Sequence, residues 1–224
     1  MQNGSPWVKP ESDMQVLGER YASLQRTFPR GATIYDQNDP ADYLYFLLKG
    51  RVSVFVISPS GELKTLAIHE KGTFFGETSF FAHSNYFASA AAVVESSILC
   101  FNHTTAQELF SSTPQFSTYL LQSLGQKIRL LTFQVESLTF LNLEKRVGAM
   151  LLSLLENFGN TDGDKNFYLT VQFTDQELAQ LVGTRREAVT KAIVKLKNMG
   201  FLHKEKKVLH FDDIEGLRNF VASC

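Results

Sequence analysis

The sequence predicts an α+β chain in three parts: an N-terminal antiparallel β-roll, a long central dimerisation helix, and a C-terminal winged helix-turn-helix. Three observations carry this. Short alternating or apolar runs, broken by glycines at 31, 50, 61, 72 and 76, fill residues 24–101. An apolar stripe of coiled-coil period follows over 121–138. Two helix-start signals then flank a single glycine near the C-terminus. The expected divisions are an arm over 1–23, a roll over 24–113, the helix over 114–142 and the last domain over 143–224.

Residues 1–20 are polar apart from Trp7 and read as a loose arm. In the roll, "YLYFLLKGRVSVFVI" (43–57) and "ELKTLAI" (62–68) read as strands, with "SPSG" (58–61) as the turn between them. Strands this short with turns this regular suit an antiparallel roll or barrel. The stretch "GTFFGETSFFAHSNYFASA" (72–90) holds five Phe, a Gly-Glu pair and no Lys or Arg.

In the central helix, Leu121, Leu124, Ile128, Leu131, Val135 and Leu138 are spaced 3, 4, 3, 4, 3. The period is kept without slippage and the other faces stay polar, which favours a parallel two-chain coiled coil over an intramolecular core stripe. After a short amphipathic helix (143–158), "GNTDGDKN" (159–166) reads as a polar loop.

"TDQELAQLVGTRREAVTKAIVKL" (174–196) contains two capping-box patterns, Thr174 with Glu177 and Thr184 with Glu187. Gly183 permits the left-handed turn between the two helices, and Ala179 is small where they cross. The second helix opens on Arg185, Arg186 and Glu187. Residues 183–207 carry eight Lys/Arg against two Glu, a local balance of +6 in a chain of net charge −1. That distribution suits a polyanion, and double-stranded DNA is the expected partner. Arg186 can bind a guanine edge, and Glu187 can accept from a cytosine amine or serve as a capping carboxylate. Thr190 lies one turn further on, while Arg185 and Lys191 suit phosphates. "FLHKEKKVLHF" (201–211) reads as a wing that brings Lys204, Lys206 and Lys207 near the DNA backbone.

Roll, long helix and winged helix-turn-helix, in this order, resemble the bacterial regulators typified by the cyclic-AMP receptor protein. The motifs are "LVGTRREAVTKAIVKL", "LTFLNLEKRVGAMLL" (138–152) and "PRGATIYDQNDPADYLYFLLKGRVSVF" (29–55). The resemblance implies a cyclic-nucleotide-binding-like jelly roll. With the heptad stripe, a homodimer on a palindromic operator is expected. RNA polymerase is the expected protein partner, with the loop at 159–166 as a candidate surface for it beside its default reading as a plain polar loop. The resemblance also implies that Arg186 and Glu187 read bases, which favours the groove role for Glu187. Lys191 stands where many members carry Arg and cannot form the bidentate fork.

The same resemblance places "FFGETSFF" in the cassette that holds ribose and cyclic phosphate. Gly76 and Glu77 are present, but Phe87 takes the place of the phosphate-binding Arg. A buried phosphate without a cation would be heavily penalised. A small aromatic or otherwise apolar effector, which can be anionic, is therefore expected rather than cyclic AMP. "SNYFASA" followed by Lys127 resembles the branch that senses halogenated phenols, implying a site from Phe75, Gly76, Glu77, Phe80, Asn85, Phe87 and Lys127.

No cofactor, metal or enzymatic activity is expected. Two cysteines, Cys100 and Cys224, cannot supply an iron–sulfur cluster's usual four ligands. His69 and His83 are candidates for a haem ligand, but a lone His in a roll reads as structure. No apolar run reaches the about 18–20 residues that cross a bilayer, and no export signal precedes the roll, so a cytoplasmic chain is expected. The rival class is a cyclic-nucleotide-type module acting on a protein partner, against which the basic helix and wing argue.

Overall fold

The computed structural model describes residues 7–8, 21–113, 115–161, 167–170, 173–206 and 208–223. Its N-terminal strands are β1 (Trp7–Val8), β2 (Gln25–Phe28), β3 (Thr33–Tyr35), β4 (Leu44–Lys49), β5 (Arg51–Ile57), β6 (Leu63–Glu70) and β7 (Phe74–Phe75). Helix α1 (Glu77–Phe81), strands β8 (Ser89–Ala92) and β9 (Ser96–Phe101), and helix α2 (His103–Ser112) follow. They form a five-stranded sheet, β1-β6-β5-β8-β3, and a four-stranded sheet, β2-β9-β4-β7. Pairing is antiparallel except where β1 lies parallel to the edge of β6. The loose arm expected over 1–20 is thus tied down at Trp7–Val8, and the rest of it lies outside the described residues.

The period-2 geometry of a strand explains the core. Along β4, Leu44 and Phe46 enter one buried cluster with Phe74, Phe80, Phe101, Leu109 and Phe116. Tyr45 and Leu47 point the other way, into a cluster with Tyr35, Phe75, Tyr86 and Ile98. The adjacent Phe74 and Phe75 split between the same two clusters. The Phe-rich cassette therefore belongs to two cores at once.

Helix α3 (Gln115–Phe140) follows, and the chain divides into two compact units within it, between Arg129 and Leu130. The second unit adds α4 (Leu143–Phe158), β10 (Gly159–Thr161), β11 (Phe167–Leu169), α5 (Asp175–Val182), α6 (Arg186–Asn198), β12 (Leu202–Glu205), β13 (Val208–Phe211) and α7 (Ile214–Ala222). Its strands make one sheet, β10-β11-β13-β12. The expected polar loop begins as strand β10, with Asn160 opposite Tyr168. All three of its residues are exposed, so no apolar alternation marks it in the sequence. Residues 162–166 lie outside the described residues. Among the described residues, no helix is long and apolar enough to cross a membrane.

Helix α5 begins with the expected capping box. The Thr174 hydroxyl accepts from the Glu177 N–H at 3.1 Å, and Glu177 Oε2 accepts from the Thr174 N–H at 2.7 Å. Thr174→Ala should cost about 1 kcal/mol. Thermal unfolding of the second unit measures it, and an unchanged midpoint would mean the box adds nothing.

Candidate functional site

Helices α5 and α6 pack through buried Leu178, Ala179, Leu181 and Val182 on one side and Val189, Ala192 and Leu196 on the other. Gly183 closes α5 in the left-handed region, φ +78°, where a side chain would be strained. Its N–H and that of Thr184 both donate to the Ala179 carbonyl, at 2.8 and 3.0 Å. Thr184 is therefore part of the end of α5, and the second expected capping box does not form. Arg185 takes the N-cap position of α6 instead, without a side-chain cap. This leaves the first turn of α6 with amide donors for an anion, reinforced by the helix dipole.

Arg185, Arg186, Glu187, Thr190 and Lys191 are all exposed. The Glu187 carboxylate has no intramolecular partner among the described residues, which leaves it available to an outside donor. The Thr190 hydroxyl instead bonds Asp175 Oδ2 and the Arg186 carbonyl, bracing α6 on α5. Lys195 pairs with Glu144 in α4, and that bond holds the Glu144 carboxyl below its usual range. On the wing, Lys204 and Lys206 are exposed, and Lys206 sits at the turn with φ +45°. Lys207 lies outside the described residues.

In the first unit, the expected effector residues separate. Phe75 is buried, stacked on Tyr45 at 5.1 Å between ring centroids. Phe80 is buried in the other cluster and stacks on His103 at 4.1 Å. Asn85 and Phe87 are exposed. The structure brings together Gly76, Glu77 and Lys127. Gly76 is left-handed at φ +80°, and a Cβ there would lie 3.0 Å from the Tyr45 ring. Lys127 Nζ donates to Glu77 Oε2 at 2.8 Å and to the Phe74 carbonyl at 2.7 Å. Side-chain exposure is only 14% for Lys127 and 4% for Glu77. In the free chain this lysine is half of a buried ion pair.

Sequence reasoning missed the other polar groups around that pair. Tyr119 donates from its hydroxyl to the Gly72 carbonyl. Ser123 is buried, with no hydrogen-bond partner for its hydroxyl. Tyr119, Ser123 and Lys127 are four residues apart, so they share one face of α3. That spacing was a readable signal, obscured by the stronger apolar stripe beside it. His69 is buried 5.5 Å from the Phe75 ring, and its Nδ1 lies 3.3 Å from the Thr73 hydroxyl. Burial, with Lys127 nearby, pushes its pKa well down and keeps it neutral. Burial, and next the Glu77 carboxylate, push the Tyr35 phenol well up. His83 is exposed and stacks on His103.

Along α3, Leu121, Ile128, Leu131, Val135 and Leu138 are 45–68% exposed. Leu124 is half-buried against the Phe46 cluster.

Residues 25–113 match the cyclic nucleotide-binding domain family and residues 145–220 the Crp-like helix-turn-helix domain family. The CRP-like cAMP-activated global transcriptional regulator of Mycobacterium tuberculosis is 30% identical over 190 residues, covering 85% of this chain and 84% of that protein. A CooA mutant from Carboxydothermus hydrogenoformans has a similar fold, with a TM-score of 0.80 at 22% identity, over 96% of this chain and 99% of that one. CprK complexed with OCPA gives 0.75 at 16% identity, over 96% and 97%. With both domains matched in order and a relative at this identity over most of its length, the chain belongs to the Crp/Fnr family of DNA-binding transcription regulators.

Proposed function

We propose that the protein is a homodimeric, ligand-responsive regulator that reads an inverted-repeat operator. RNA polymerase is its expected protein partner. The observation that carries the reading is the first turn of α6, where Arg185, Arg186 and Glu187 stand exposed on a helix whose opposite face is buried. Arg186 and Glu187 read base edges in the major groove. Arg185, Lys191 and the wing lysines Lys204, Lys206 and Lys207 bind phosphates. The exposed stripe on α3 pairs two chains.

The effector is a small aromatic or otherwise apolar molecule, anionic where it meets Lys127. The M. tuberculosis relative is cAMP-activated by name. Here residues 72–126 contain no Lys or Arg, so the cassette itself supplies no counter-ion to a cyclic phosphate.

Operator binding tests the reading. If roughly six to eight phosphates are neutralised per dimer, log K should fall with log salt at a slope of about −5 to −7. Half-site centres should lie about 34 Å apart. Glu187→Ala should relax preference at one G·C position per half-site by about 1–3 kcal/mol while sparing nonspecific affinity. Salt-insensitive binding would reject a DNA partner; unchanged base preference in the variant would remove Glu187 from the groove.

A further inference from the structure

We propose that the second unit carries a ligand site of its own, a cavity between α4, β10 and the start of α7 that takes a small aromatic amine. The site is built wholly from residues 155–218, so it stands independently of any effector held by the roll.

The cavity encloses about 770 Å³, within the range of pockets that hold small organic molecules. Its floor is apolar. Leu155 of α4, Phe167 of β11 and Ile214 of α7 are half-buried there, beside the fully packed Phe211 of β13. Its rim is acidic: four carboxylates, Glu156, Asp212, Asp213 and Glu215, stand against Arg218, the one cation in the walls. A concave surface lined mainly by one sign of charge concentrates ligands of the other sign. The chain's cationic surface for DNA is elsewhere, since none of the Lys or Arg over 183–207 lines this cavity.

The hydrogen bonds show which carboxylates remain for a ligand. Arg218 lies between Glu156 and Glu215, at 3.5 and 3.7 Å. Asp212 uses Oδ1 on His203 of the wing at 2.8 Å, and Asp213 uses Oδ1 to cap α7 at the Gly216 N–H, also at 2.8 Å. A carboxylate accepts at both oxygens, and neither Oδ2 has a partner among the described residues. The backbone fixes these two side chains in place. The N–H groups of Asp212 and Asp213 both donate to the Phe201 carbonyl, at 2.9 and 3.2 Å, and Phe201 directly precedes wing strand β12. Two adjacent acceptors on a pinned corner, above an apolar floor, match an ammonium group on a ring-bearing body. A preorganised pair of this kind binds without paying to order itself. An anion would meet the acidic rim, and a cation without a ring would leave the floor uncovered.

Calorimetry on the full chain with three probes tests this: tryptamine (ring and ammonium), indole-3-propionate (the same ring with a carboxylate) and butylamine (ammonium without a ring). Tryptamine should bind at least about tenfold tighter than either of the others. The double variant Asp212→Asn, Asp213→Asn should lower tryptamine affinity at least about tenfold and close the gap to indole-3-propionate. Asparagine is also a good N-cap, so α7 should persist, which circular dichroism checks. Glu215→Lys reverses a charge at a rim side chain that is 83% exposed, and it keeps the test open if the double variant does not fold. It should weaken tryptamine about threefold or more. No tryptamine binding, equal binding of tryptamine and indole-3-propionate, or unchanged affinity in the folded variants each overturns the proposal. Operator binding plays no part in this readout, so failure of the regulator reading leaves the comparison intact.

Discussion

Replacing Leu131 and Val135 with lysine should convert the protein to a monomer and abolish tight operator binding. Both residues are exposed in the single chain, at 45% and 63%, on a stripe whose spacing matches a coiled-coil seam. In a dimer each pair of chains would bury four ammonium groups without partners, at a cost of several kcal/mol. In the isolated chain the same substitutions lie at the surface and should alter stability by no more than about 0.5 kcal/mol. Monomers would also lose the effective concentration that couples two half-sites. Sedimentation velocity and circular dichroism on one sample separate the effects: a folded monomer is expected, and a folded dimer would reject the seam.

The second large effect concerns Lys127. Lys127→Met keeps the length and removes the charge, leaving Glu77 buried without its counter-ion. Truncating one partner of a buried pair costs about 3–5 kcal/mol. In a chain of this size that lowers the melting temperature by roughly 6–20 °C, at about 2–4 °C per kcal/mol. Adding Glu77→Gln should recover most of the loss, because a neutral amide replaces the stranded carboxylate. Calorimetric melting of wild type, both single variants and the double variant gives the coupling directly. Additive losses would show that the two side chains do not act as a pair.

Much of the architecture was legible because it is written in local rules. The strand run over 43–57, the turn at 58–61, the helical stripe and the Thr174 box all follow from the period of the chain or from groups within four residues. The second box failed at the boundary of such a rule. Thr184 has the residue type of an N-cap, but the end of the preceding helix claims its amide first. Strand β10 was invisible for a related reason: its polar residues are recruited by backbone pairing with β11, and backbone groups carry no sequence signature.

The sequence by itself determined the fold class, the order of the parts, and which short stretch presents exposed cations beside Glu187. The tertiary structure decided what happens inside the roll. Phe75 and Phe80 are the same residue type five positions apart, yet they lie in different cores, because Phe75 occupies the opposite face of β7 from Phe74, which shares Phe80's cluster. Lys127 is fifty residues from Glu77, and no period or cap links them. Their pairing arises because packing brings one face of α3 against the cassette, where low solvent access makes each charge require the other.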